Sequence, residues 1–165
     1  MRAGLAVVIA LSGPAMAQDG MPQFQDDLLA TCLTEQGDTP EACINKAADL
    51  CMNAEGGYST VGMSYCLSQE LAQWDRLLNT AYADVMAQSE TADARMDDLG
   101  SVAPKQAPLL QQMQRNWIAF RDAACSYEGS RWGGGTGAGP AGTQCLLTQT
   151  ARQYLWLNAY LSGEQ

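Results

Sequence analysis

The chain has 165 residues, with 9 Lys and Arg against 18 Asp and Glu, no histidine and a net charge of −9. Its length suits one domain of ordinary size, and its charge argues against nucleic acid or an anionic lipid surface as partner. The missing histidine excludes a Ser-His-Asp or Cys-His nucleophile and any histidine-bearing zinc site.

The first 17 residues are expected to be a secretory leader. Arg2 gives a basic start, Ala3 to Leu11 an apolar run, and Ala15-Met16-Ala17 a small-x-small cleavage site. The run is too short to anchor the mature chain in a bilayer. Removing Arg2 with the leader leaves 8 basic and 18 acidic residues, a net charge of −10. A periplasmic or secreted destination follows, and electrostatics then favour a cationic partner. Acidity also serves plain solubility.

Residues 18–23 read as a mobile tail. "FQDDLLATCLTEQ" predicts a short helix stopped by Gly37. "TPEACINKAADLCMN" predicts a second helix, with Thr39 as N-cap and Pro40 in the first helical position. Together they form a helical hairpin within residues 18–50, ahead of a main helical domain at 51–165. "AEGGYSTVG" breaks the pattern with three glycines.

The first long helix carries one apolar stripe: Leu67, Leu71, Trp74, Leu78, Tyr82 and Val85. Glu70, Asp75, Arg76 and Asp84 read as charges beside or away from it. A loop is expected from about Ser89 to Ala107. The second long helix repeats the pattern with Leu110, Met113, Trp117, Phe120, Ala124 and Tyr127. Gly129 to Gln144 holds seven glycines and reads as a loop, and a last helix follows from about Cys145 to Leu161. No run alternates as a strand would. The fold expected is all-α: three longer helices packed together, plus the N-terminal hairpin.

Cys32, Cys43, Cys51, Cys66, Cys125 and Cys145 all lie beyond the leader. An even count in an oxidising compartment suggests three disulfides. Six cysteines allow fifteen pairings, and sequence alone selects none of them. The spacings suggest Cys32–Cys43, Cys51–Cys66 and Cys125–Cys145, which would staple the bundle.

Signals of catalysis are weak. No C-x-x-C occurs. "GYSTV" from Gly57 puts Val61 where a nucleophile elbow needs glycine. "GAGPAG" from Gly137 matches G-x-G-x-x-G without a preceding strand and with a proline inside. The pairs Asp26-Asp27 and Asp97-Asp98 are adjacent residues, which do not share a helix face. No enzyme, cofactor or metal site is expected.

Three motifs then occur in order. "TVGMSYC" supplies Thr60, Met63 and Cys66. "WDRLLNTAY" supplies Asp75, Leu78, Asn79 and Tyr82. "QRNWIAFRDAAC" supplies Gln114, Arg115, Trp117, Phe120, Arg121, Asp122 and Cys125. From about Cys51 to Leu161 this arrangement resembles the lysozyme-inhibitor LprI-like family of small secreted bacterial helical domains. The resemblance implies an all-α fold and inhibition of lysozyme by binding and occlusion. The alternative is a non-inhibitory cell-envelope module that binds another protein or serves as structure.

The motif residues are read mainly as scaffold, with Asp75 and Asn79 meeting Arg121 or Arg115 across two helices. The other reading has them touch a target. Arg131 and Trp132, in the glycine-rich loop, are the candidate partner-binding residues, since both types anchor interfaces. The competing reading is a connector whose tryptophan folds back on the helices.

Overall fold

A computed structural model describes residues 20–163, and the expected leader lies outside them. Among these residues five α-helices form: α1 (Leu28–Glu35), α2 (Lys46–Met52), α3 (Thr60–Asp98), α4 (Gln106–Ser130) and α5 (Ala138–Ser162). A single 3-10 turn, Pro40–Cys43, joins α1 to α2. Among the described residues there is no strand. The domain is all-α, with three long helices and a short N-terminal hairpin.

α3 is the axis. Its 39 residues span about 58 Å at 1.5 Å per residue. α5 packs along it, α4 packs on both, and the hairpin closes over the N-terminal half of α3. Leu67, Trp74, Leu147 and Ala151 meet Leu29, Cys32, Cys43 and Ala48 of the hairpin in one cluster. Leu78, Ala81, Val85, Leu110 and Leu157 form a second. Tyr154 touches both clusters, its ring 5.6 Å from that of fully buried Trp74. The cysteines pair as Cys32–Cys43, Cys51–Cys66 and Cys125–Cys145.

The boundaries differ from the sequence expectation in four places. α3 runs on through Ser89–Asp98, because that stretch is acidic and small but contains neither Gly nor Pro. Gly100, at φ +67°, follows the stop. The second hairpin helix is broken at Asn45, which takes the left-handed conformation (φ 73°), and Thr39 makes no side-chain cap. The glycine-rich loop shrinks to residues 131–137. α4 continues to Ser130, and α5 begins at Ala138, with Pro140 in its first turn where no intrahelical N–H is needed. The described part of the tail is packed: Pro22 is buried, and Gly20 lies against Gly56.

Phe120 and Tyr127, expected in the core, are 61% and 67% exposed. Steps of 3, 4, 3, 4 and 3 fall short of the helical repeat, so the stripe drifts round the helix. At 100° per residue, Phe120 and Tyr127 lie roughly 80° and 100° from Leu110. Gln114, Arg121 and Cys125 lie within about 60° on the other side, and Gln114 and Cys125 are the buried ones.

α3 also caps its neighbours. The N-cap residues of α2 and α4 make no side-chain cap. Asp93 instead accepts the backbone N–H groups of Gln106 (2.7 Å) and Ala107 (2.9 Å) at the start of α4. Lys105 bonds both the Asp93 carbonyl and Asp97. Desolvation alone would raise the pKa of Asp93, but these two N–H groups and Lys105 bring it below its ordinary value. The unfolded chain therefore takes up this proton more readily. Stability from Asp93 is present above the ordinary carboxylate range and lost as pH falls through the lowered value. Asp93→Asn should lower the urea midpoint at pH 7, and the gap to wild type should shrink as pH falls below the ordinary carboxylate range.

Candidate functional site

The first turn of α3 and the glycine-rich connection meet at one cleft of about 790 Å³. Ser59 caps α3 by accepting the Gly62 N–H at 3.0 Å, which sets Thr60 and Met63 on the cleft wall. Leu67 forms apolar lining one turn further on, and Glu128 and Trp132 stand opposite. The Cys125–Cys145 bridge ties α4 to α5 beside them.

Trp132 is held in place rather than free. Its backbone N–H donates to the Gly129 carbonyl at 3.2 Å. Gly133 and Gly134, at φ +56° and +83°, turn the chain back in a conformation that side chains resist. The ring then covers Gly137, where a Cβ would collide with it. Even so, Trp132 is 54% exposed. The tryptophan thus folds back over Gly137 while keeping an exposed face. Arg131 binds Glu128 through Nη1 at 3.0 and 3.3 Å.

The other motif residues distribute differently. Leu78 is core, while Tyr82 and Trp117 pack against the second cluster. Gln114 accepts a buried hydrogen bond from Gln153 at 3.0 Å, linking α4 to α5. The expected arginine–carboxylate link between α3 and α4 does not form. Asn79 donates to Asp75 on its own helix at 3.0 Å. Arg121 binds its neighbour Asp122 at 2.8 Å and lies over the Trp117 ring at 4.8 Å. Asp75 and Arg121 face a common cleft of about 310 Å³ without pairing. Arg115 and Phe120 are exposed. A local carboxylate and an aromatic face already satisfy Arg121 without further desolvation.

The buried polar anchor is Glu70, which the sequence reading set beside the stripe. At 100° per residue it lies only about 40° from Trp74, and it is fully buried. Its carboxylate accepts the N–H groups of Asn45 (2.8 Å) and Ala48 (2.7 Å) and the Trp74 indole N–H (2.9 Å). The Glu-to-Trp spacing of four was the available signal, since such pairs share a helix face. No group of three or more potential metal ligands occurs among the described residues. No described helix is long and apolar enough to cross a membrane.

These features define a small, disulfide-bonded all-α domain with a partly apolar cleft beside a tethered tryptophan. The family described as "Lysozyme inhibitor LprI" matches residues 51–157, and the chain belongs to that family. LprI is an inhibitor family, not an enzyme family. The chain is 25% identical over 164 residues to the uncharacterized 17.7 kDa protein in the puhA 5′ region of Rhodobacter capsulatus, covering 97% of each. It is 26% identical over 95 residues to an uncharacterized protein of Rhizobium meliloti, covering 58% of this chain and 68% of the relative. No solved structure matches.

Proposed function

We propose that the protein is exported, loses residues 1–17 after Ala17, and inhibits a cationic lysozyme in the periplasm or outside the cell. It binds and occludes its target and performs no chemistry itself. The cleft beside Trp132 is the contact surface, with Arg131 at its edge. The observation that carries this reading is the convergence of Thr60 and Met63 with exposed Trp132 on one cleft, in a chain of the LprI family. A rigid aromatic presented with little freedom left to lose makes an efficient anchor. The hairpin at 18–50 braces the domain at 51–165 and stays outside the contact.

The net charge of −10 steers the complex, so inhibition should weaken with salt. Lysis of a peptidoglycan suspension by a basic lysozyme tests this, each salt condition scaled to the uninhibited enzyme. Wild type should inhibit at near-stoichiometric ratios, less at high salt. Trp132→Ala should weaken inhibition about 30-fold or more. Absence of inhibition by micromolar wild type would refute the proposal and leave a non-inhibitory envelope module.

A further inference from the structure

A groove of about 630 Å³ lies between the N-terminal hairpin and α5. Its volume falls within the range of small-molecule sites. One wall includes the Pro40–Cys43 turn, which packs on α5 and is tied down by the Cys32–Cys43 bridge. The other wall is α5, where Arg152 and Trp156 share a helix face four residues apart. Trp156 is some 24 Å along α5 from Pro140 at 1.5 Å per residue, so the groove is remote from the cleft beside Trp132. Its charged end, at Arg152, lies some 15 Å back from the end of α5 at Ser162. The hairpin wall falls outside residues 51–157, so the family match does not account for this groove.

Two observations narrow the occupant. First, charges of both signs stand uncommitted in one place. Asp38, Glu41 and Arg152 all line the groove and are exposed, and none of these side chains has a hydrogen bond or ion pair among the described residues. Lys105, Arg121 and Arg131, by contrast, each hold a carboxylate. A ligand of one net charge would pair with one sign here and meet the other. Neutral hydroxyl groups serve both, because a hydroxyl donates to a carboxylate and accepts from a guanidinium. Second, Trp156 is 49% exposed, yet its ring is propped by Tyr160 at 5.9 Å. That presents a broad apolar surface with little freedom left to lose. A pyranose with equatorial substituents is the complement of this pairing. It has a flat C–H face, and its hydroxyls point outward in the plane of the ring.

We propose that the groove binds a neutral chain of β-1,4-linked, gluco-configured pyranoses. One ring stacks on Trp156, and its hydroxyls are held by Asp38, Glu41 and Arg152. The β-1,4 linkage is equatorial at both ends, which keeps successive rings extended along the groove. The site is independent of lysozyme binding.

Titration calorimetry of the mature chain with cellotetraose, chitotetraose and sorbitol tests this. Wild type should bind at least one tetrasaccharide saturably, with a Kd of about 1 mM or tighter. The tighter of the two shows whether the groove favours plain glucose or its 2-acetamido form. Sorbitol, which has the hydroxyls without the flat ring, should give no saturable binding. Trp156→Ala should weaken the tetrasaccharide about tenfold or more, and Glu41→Gln several-fold. Both positions are exposed, so helical content and thermal midpoint should be retained. No saturable binding of either tetrasaccharide, equal binding of sorbitol, or unchanged affinity in Trp156→Ala would each overturn the proposal. The first of these would leave the groove to a protein partner.

Discussion

Replacing Glu70 with alanine should destabilise the domain by about 3–5 kcal/mol, lowering its thermal midpoint by about 10–15 °C. The substitution strands the Asn45 and Ala48 N–H groups and the Trp74 indole, all of which Glu70 accepts. A buried donor left unpaired costs about 1–3 kcal/mol, and relief from burying a charge offsets part of the sum. The loss should carry a particular pH signature. Burial is the largest influence on the Glu70 pKa and raises it; Ala48, Trp74 and Asn45 pull it down, Asp49 pushes it up, and the net shift is upward. The folded state therefore holds this proton more tightly than the unfolded chain does. Stability from Glu70 is fully present below the ordinary carboxylate range and lost as pH rises through the raised value. Urea unfolding should show the gap between wild type and Glu70→Ala widening from pH 7 to about pH 4.5, opposite in direction to Asp93→Asn. A gap that narrows over that interval would contradict the carboxylate's assigned environment.

Gly62→Ala should cost about 2–4 kcal/mol despite placing a good helix former in a helix. A Cβ at Gly62 would collide with the Gly56 carbonyl oxygen and lie 2.9 Å from the Gly57 Cα. These are backbone atoms of a turn that the Cys51–Cys66 bridge holds against α3. Relief requires the turn to move, which would also strain the hydrogen bond from the Gly62 N–H to Ser59. Gly142→Ala is the contrast. It lies inside α5, and its Cβ would meet nothing nearer than the Cys125 carbonyl oxygen at 3.7 Å. That variant should gain about 0.5–1 kcal/mol from the restricted unfolded chain. Urea midpoints of the two variants should move in opposite directions.

Periodicity made the helices legible. The Leu67-to-Val85 stripe marks the buried face of α3, because a helix packed on two neighbours needs a continuous apolar band. Composition misled where it stood in for geometry. Residues 89–98 look like a loop by content yet lack a breaker, and Gly139 and Gly142 sit inside a helix. Phe120 looked like core because spacing was counted without following the drift around the helix. Glu70 was set beside the stripe because charge implies solvent, and two of its three donors, the Asn45 and Ala48 N–H groups, come from a hairpin that only folding brings near. At the cleft, motif and residue type singled out Thr60, Met63 and Trp132 separately. Their meeting depends on the turn at Gly133 and Gly134 and on the ring's seat over Gly137, which no spacing encodes.

The sulfur pairing has a consequence for biogenesis. The six cysteines pair as consecutive couples, first with second, third with fourth and fifth with sixth, so no bridge encloses another. For a polypeptide delivered N-terminus first, the correct mate is always the next thiol to arrive. A simple oxidant can seal each crosslink in turn, and no isomerase has to undo a wrong one.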